Sequence, residues 1–168
     1  SFRTAKKNTE KFSFLCLSDV QSGGPEPPAD YSVLGEVVKK ILEEHPECEF
    51  ILTAGDNTNC GQTDVQWTGL FEGLKGIIES VPVQFCMGNH DDMGFDDYFT
   101  FTGKYYSEHA TYFTNQLRYS YPENGPENWI VPNYSFRYGN TMFAVTGTSG
   151  FEFINEWLIK TAKESDAV

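Results

Sequence analysis

Three short apolar runs, each ending at a polar loop residue, constrain the fold more than any other feature of the chain. The runs cover residues 12–18, 50–54 and 81–87, and they end at Asp19, Gly55-Asp56 and Gly88-Asn89. Apolar runs of this length, bounded by Gly or polar residues, are typical of buried β-strands. The sequence therefore predicts three strands, each opening into a polar loop.

Helical patterns follow the first two predicted strands. Apolar residues recur there at intervals of three and four, as on one face of a helix. The first face carries Leu34, Val37, Val38, Ile41 and Leu42, and the second carries Trp67, Leu70, Phe71, Leu74, Ile77 and Ile78. Asp30 or Ser32 is a candidate N-cap for the first helix, and Thr63 with Gln66 resembles a capping box for the second.

Strands that alternate with amphipathic helices predict an α/β fold with a mostly parallel sheet and right-handed crossovers. In such a sheet the loops after the strands lie along one edge, and ligands of open α/β sheets bind at that edge. Asp19, Asp56 and Asn89 are therefore expected to converge there.

The second half of the chain is less regular. Residues 92–133 lose the periodicity and become aromatic and acidic, which is typical either of a lid over a substrate or of an insertion that packs only on itself. Residues 133–136 and 141–146 flank a turn and predict a hairpin. Apolar spacing from Phe153 to Ala162 predicts a last helix.

Composition excludes some classes of function. The formal net charge of -12 repels nucleic acid and anionic membrane surfaces, and no apolar run is long enough to span a bilayer. Cys16 and Cys86 lie in apolar runs and are predicted to be buried, whereas Cys48 and Cys60 could either pair or stay free. The sequence does not indicate an oligomeric state.

The polar residues after the strands have the chemistry of a binuclear metal site. Hydrolysis of a phosphate ester at neutral pH needs a strong nucleophile and positive charge on the phosphoryl oxygens, and two divalent cations about 4 Å apart supply both. Such cations are bound by carboxylate, amide and imidazole groups. Asp19, Asp56, Asn89 and His90 provide these groups, each just past a strand.

Three motifs, in this order, make the resemblance to a family specific. Ser-Asp-Val-Gln at 18–21, Gly-Asp-Asn-Thr-Asn-Cys-Gly at 55–61 and Gly-Asn-His-Asp at 88–91 resemble the first three motifs of the calcineurin-like metallophosphoesterases. The resemblance implies a layered αββα fold whose C-terminal strands are missing here. It also implies a hydrolase for phosphomonoesters or phosphodiesters.

The resemblance assigns a role to each matching residue. Asp19 would bind the first metal, Asp56 would bridge both metals, and Asn89 would bind the second. His90 would contact the phosphate or protonate the leaving group, and Asp91 would orient the His90 ring. The implied cofactors are two divalent metal ions, such as Mn, Fe or Zn.

The chain departs from the family pattern in two places. Gln21 stands where most members have a metal-binding histidine, so it is either a weaker ligand or a solvated loop residue. The family's later histidine motifs do not occur before Val168. We therefore expect little catalysis from residues 1–168 alone, and a binding or scaffold module with a decayed metal site is the alternative function.

The first residues resemble the end of a fibronectin-like domain. This predicts a linker over residues 1–10 and a metallophosphoesterase domain over residues 11–168. Such an arrangement resembles the purple-acid-phosphatase-like and secreted bacterial branch of the family. It implies an extracytoplasmic or secreted protein, with a cytoplasmic one as the alternative.

Overall fold

A computed structural model of the protein describes residues 11–22, 29–92, 111–118, 120–126, 133–147 and 151–165. Its elements, in chain order, are β1 (Ser13–Leu17), α1 (Ser32–Glu44), β2 (Cys48–Thr53), α2 (Asp64–Gly73), β3 (Val83–Gln84), a 3-10 turn (His90–Asp92), α3 (Thr111–Leu117), β4 (Tyr134–Tyr138), β5 (Thr141–Val145) and α4 (Phe151–Glu164).

The first three strands form a parallel sheet in the order β1-β2-β3. Leu17 on β1 is in register with Thr53 on β2, and Leu52 is in register with Gln84 on β3. The predicted α/β fold with a parallel sheet is therefore confirmed. Because the strands run in the same direction, the loops that follow them meet at one edge.

Strands β4 and β5 form a separate antiparallel hairpin that lies against the parallel sheet. The ring of Phe50 on β2 contacts Phe136 and Phe143 of the hairpin at centroid distances of 5.9 and 5.5 Å. The hydroxyl of Tyr134 donates to the carbonyl of Phe85, 2.9 Å away. These contacts place two sheets face to face, as the family resemblance implies.

Helices contribute the outer parts of the core. Val38 of α1 and both Trp67 and Leu70 of α2 are almost completely buried in one apolar cluster with Ile51 of the central strand. Trp157 of α4 donates its indole N–H to the carbonyl of Asn124 at 2.8 Å. The predicted last helix is confirmed.

Helix α1 differs in detail from its predicted form. Val38 is fully buried, whereas Val37 is 49% exposed, so the predicted apolar face is narrower than the spacing indicates. The helix begins at Ser32, and Tyr31 rather than Asp30 or Ser32 is the N-cap, without a side-chain capping bond. Asp30 instead accepts the N–H of Ser32 at 2.9 Å.

Helix α2 is shorter than predicted, and its N-terminus has no capping box. It ends at Gly73. Leu74 and Ile77 lie in the turns that follow, and both are buried. Thr63 donates both its hydroxyl and its N–H to the carbonyl of Cys60, and the side-chain oxygen of Gln66 accepts the N–H of Asn59. The capping-box prediction is wrong because Gln66 is buried in tertiary contacts.

All four cysteines are free thiols. Cys48 begins β2 and Cys60 lies beyond its far end, and six residues of strand span about 20 Å. A disulfide needs Cα atoms within about 7 Å, so these two do not pair. Cys16 is exposed, contrary to prediction, because it lies on edge strand β1.

Several predictions fall on residues outside the described ranges. They include the linker over 1–10 and most of the irregular region 92–133. Among the described residues, no helix has both the length and the apolar character needed to cross a membrane.

Candidate functional site

Asp19 and Asp56 both have a left-handed backbone, with φ angles of 55° and 52°. They are the only non-glycine residues with positive φ in the described part of the chain. This conformation is rare for residues with a side chain, although Asp tolerates it better than most, and such strain concentrates at functional sites. The two predicted carboxylate ligands therefore share a strained backbone conformation that is typical of functional sites.

The loops that carry these aspartates are bonded to each other. The N–H of Asp19 donates to the carbonyl of Gly55 at 3.3 Å, and the N–H of Ala54 donates to the carbonyl of Leu17 at 2.7 Å. The ladder between β1 and β2 thus continues past the strand ends. It brings the backbone of the first motif next to that of the second.

The third motif lies directly against Asp56. One carboxylate oxygen of Asp56 accepts the backbone N–H of His90 at 3.0 Å. A side chain on Gly88 would collide with Asp56, and one on Gly55 would come within 2.8 Å of the Gly88 Cα. Glycine is required at both positions because the two loops touch through their backbones. The loops that carry Asp19, Asp56 and the pair Asn89-His90 therefore meet at one edge of the sheet.

Asp91 is fully buried, and its carboxylate accepts five hydrogen bonds. The donors are the N–H and side-chain amide of Asn57, the N–H and hydroxyl of Thr58, and the N–H of Gly88, at 2.8 to 3.2 Å. Burial raises the pKa of the Asp91 carboxyl to about 6, and bonds from Gly88, Thr58 and Asn57 oppose that rise. Asp91 thus ties the second motif to the third.

The His90 ring has a different partner from the one expected. Its Nδ1 lies 3.1 Å from the backbone carbonyl of Asn59. Since a carbonyl only accepts, Nδ1 must donate, and Nε2 is left for another partner. The prediction that Asp91 orients this ring is corrected, because the Asp91 carboxylate is turned toward Asn57 and Thr58.

Side chains beneath the site hold the loop over residues 57–61. Tyr31 donates its hydroxyl to the carbonyl of Asn57 at 3.0 Å, and Trp67 donates its indole N–H to the carbonyl of Gly61 at 2.7 Å. The N–H of Gly61 in turn donates to the carbonyl of His90 at 2.9 Å. Sequence reasoning missed Tyr31 in this role because its aromatic ring suits any core position.

Gln21 places its side-chain oxygen in a buried position. This oxygen has no hydrogen-bond donor among the described residues. A buried acceptor without a partner is unfavourable by about 1–3 kcal/mol, and a bound cation would remove that penalty. The orphaned oxygen therefore fits a metal ligand better than a solvated loop residue.

The available metal donors are mainly oxygens. Within the described ranges no three His, Cys, Asp or Glu side chains lie together as a metal-binding group. The ligands predicted from the sequence are the carboxylates of Asp19 and Asp56 and the amides of Gln21 and Asn89. Such a set fits hard divalent cations.

The model of the calcineurin-like phosphoesterase family matches residues 12–163. The chain belongs to the calcineurin-like phosphoesterase family. No curated protein matches the chain. Membership in this phosphoesterase family agrees with the parallel sheet and points to hydrolysis of phosphoesters in general, with divalent metals as the usual cofactors.

Proposed function

We propose that the protein is a metal-dependent phosphoester hydrolase whose site lies at the carboxyl edge of the parallel sheet. The observation that carries the proposal is the pair of left-handed aspartates, Asp19 and Asp56, on adjoining loops. Family membership supplies the reaction class. The substrate is a phosphomonoester or phosphodiester.

The predicted ligands have the chemistry to hold two divalent cations. Asp19 and Gln21 would hold the first, Asn89 the second, and Asp56 both. When bound, the cations supply an acidified water and positive charge on the phosphoryl oxygens. With Nδ1 donating to the carbonyl of Asn59, Nε2 of His90 carries a lone pair in the neutral ring, and in the imidazolium form it donates its proton to the phosphate or to the leaving-group oxygen.

The oxygen ligands favour Mn²⁺ over Zn²⁺ or Fe as the first metal, which Asp19 and Gln21 would hold. Gln21 contributes an amide oxygen where an imidazole would favour the softer metals. Its buried and unpartnered oxygen supports ligation rather than solvation. We further propose that the protein belongs to the secreted branch of the family and lies outside the cytoplasm, because its first residues resemble the end of a fibronectin-like domain.

The test is hydrolysis of nitrophenyl phosphate and bis-nitrophenyl phosphate by the full-length protein loaded with Mn²⁺. Asp56→Asn should abolish turnover, and His90→Asn should lower kcat about 100-fold or more because a proton donor is lost. Glu36→Gln, which changes an exposed residue of α1, serves as the charge-matched control. Absence of hydrolysis with Mn²⁺, Fe, Zn²⁺, Ni²⁺ and Mg²⁺ would sink the proposal.

A binding module with a decayed metal site is the second candidate. The absence of a group of three His, Cys, Asp or Glu side chains among the described residues favours it. A full-length protein that binds a protein or glycan equally well with and without chelator, and retains no metal, would support this candidate over the hydrolase.

A further inference from the structure

A short relay of hydrogen bonds connects helix α2 to the ring of His90. The side-chain oxygen of Gln66 accepts the backbone N–H of Asn59 at 3.1 Å. The carbonyl of the same residue, Asn59, accepts from Nδ1 of His90 at 3.1 Å. Gln66 therefore binds the N–H of Asn59, and the carbonyl of Asn59 binds the ring of His90.

The first member of this relay is fixed in place. Gln66 is fully buried, and its oxygen also lies 3.3 Å from the hydroxyl of Tyr31. Burial raises the pKa of Tyr31 to about 12, so the hydroxyl keeps its proton at neutral pH. The hydroxyl has a single proton, which it shares between this oxygen and the carbonyl of Asn57 at 3.0 Å, so the N–H of Asn59 is the main donor that holds the oxygen of Gln66.

The relay also explains why a polar side chain lies inside α2. An apolar residue at position 66 would leave the N–H of Asn59 without this acceptor, next to the buried Trp67. A capping box is excluded, because the N–H of Thr63, which would have to donate to Gln66, donates to the carbonyl of Cys60 at 3.2 Å.

We propose that Gln66 is a positioning residue for His90. By fixing Asn59 it holds the ring in the tautomer with the proton on Nδ1, so that Nε2 faces a ligand. Only the use of Nε2 rests on the proposed hydrolase function. The positioning itself follows from the contacts of the chain alone.

The direct test is nitrogen NMR of the protein labelled with ¹⁵N-histidine, at a pH where the rings are neutral and without metal or substrate. A His90→Gln variant identifies the His90 signal. The proposal predicts the Nδ1–H tautomer for His90 in the wild-type protein. A predominant Nε2–H tautomer would overturn the proposal without any further variant, because a deprotonated Nδ1 cannot donate to Asn59.

The variants then assign the effect to Gln66. Gln66→Met keeps the length of the side chain but removes the acceptor, and the His90 tautomers should become mixed. Gln66→Glu keeps an acceptor oxygen and should preserve the Nδ1–H form. Thr63→Ala is the matched control, because it removes a bond to the carbonyl of Cys60 without touching Asn59. A folded Gln66→Met with the wild-type tautomer would overturn the proposal.

Kinetics separate this inference from the function on which it partly rests. In an active enzyme, Gln66→Met should lower kcat about tenfold and change KM by less than about twofold, because a misplaced ring affects the reaction more than binding. Equal effects on Gln66→Met and Thr63→Ala would overturn the positioning role. A wild-type protein that shows the predicted tautomer and no hydrolysis would contradict only the proposed function.

Discussion

Asp91 illustrates how one residue can organise a site without facing it. Its carboxylate accepts from Asn57, Thr58 and Gly88, and so it joins the loops that carry Asp56 and His90. Removal of one buried acceptor leaves several donors unsatisfied at once, each unfavourable by about 1–3 kcal/mol. Asp91 is therefore expected to affect stability more than any single metal ligand.

Asp91→Asn should lower the free energy of unfolding by about 2–4 kcal/mol, because the amide group of Asn presents donors to other donors. Urea unfolding at neutral pH measures the change. Glu36→Gln, at an exposed position of α1, is expected to stay within about 0.5 kcal/mol of the wild type. Equal stability of Asp91→Asn and the wild type would show that the network contributes little.

The strands and the edge they share were predictable, because apolar runs and Gly-Asp or Gly-Asn endings are local signals. The meeting of the loops that carry Asp19, Asp56 and His90 followed from the parallel order of β1, β2 and β3. The partner of His90 was not predictable. It depends on which of two nearby acceptors, Asn59 or Asp91, the folded loops turn toward the ring.

At the scale of elements, tertiary packing determined where helix α2 ends and what Gln66 contacts. Helix α2 ends at Gly73 although the apolar pattern continues. Leu74 and Ile77 lie in the turns after the helix and still pack into the core. Gln66 matched the spacing of a capping box but is buried against the loop after β2. Such choices depend on contacts that no window of sequence contains.

The close approach of the loops after β2 and β3 gives a prediction at this scale. Gly88→Ala should lower stability by about 1–3 kcal/mol and weaken Mn²⁺ binding, because the added methyl group meets Asp56. Thermal unfolding and titration calorimetry measure the two effects.

Gly76→Ala is the control for this change. Gly76 has a φ of 82°, and a methyl group there meets nothing within 4 Å, so the variant should lose about 1–2 kcal/mol of stability from backbone strain. Its Mn²⁺ affinity should be unchanged. A Gly88→Ala protein with wild-type affinity would mean that the two loops can separate without disturbing the ligands.

At the scale of the whole molecule, an aromatic layer joins the sheet that carries the site to the hairpin. Phe14 stacks on Phe50 at 5.1 Å, and Phe136 stacks on Phe143 at 4.9 Å, so rings from both sheets form one cluster. The aromatic layer and the hydrogen bonds of Asp91 thus hold the two sheets and the site loops together, and these contacts offset the cost of the positive φ angles at Asp19 and Asp56.

The central claim is that the sheet edge binds divalent metal through Asp56 and its neighbours. Calorimetric titration of the full-length protein with Mn²⁺ tests it most directly. Wild-type protein and the control Asp64→Asn, which neutralises an exposed carboxylate on α2, should bind alike, and Asp56→Asn should bind at least about 100-fold more weakly. Equal binding by all three, or no binding by the wild type, would contradict the claim.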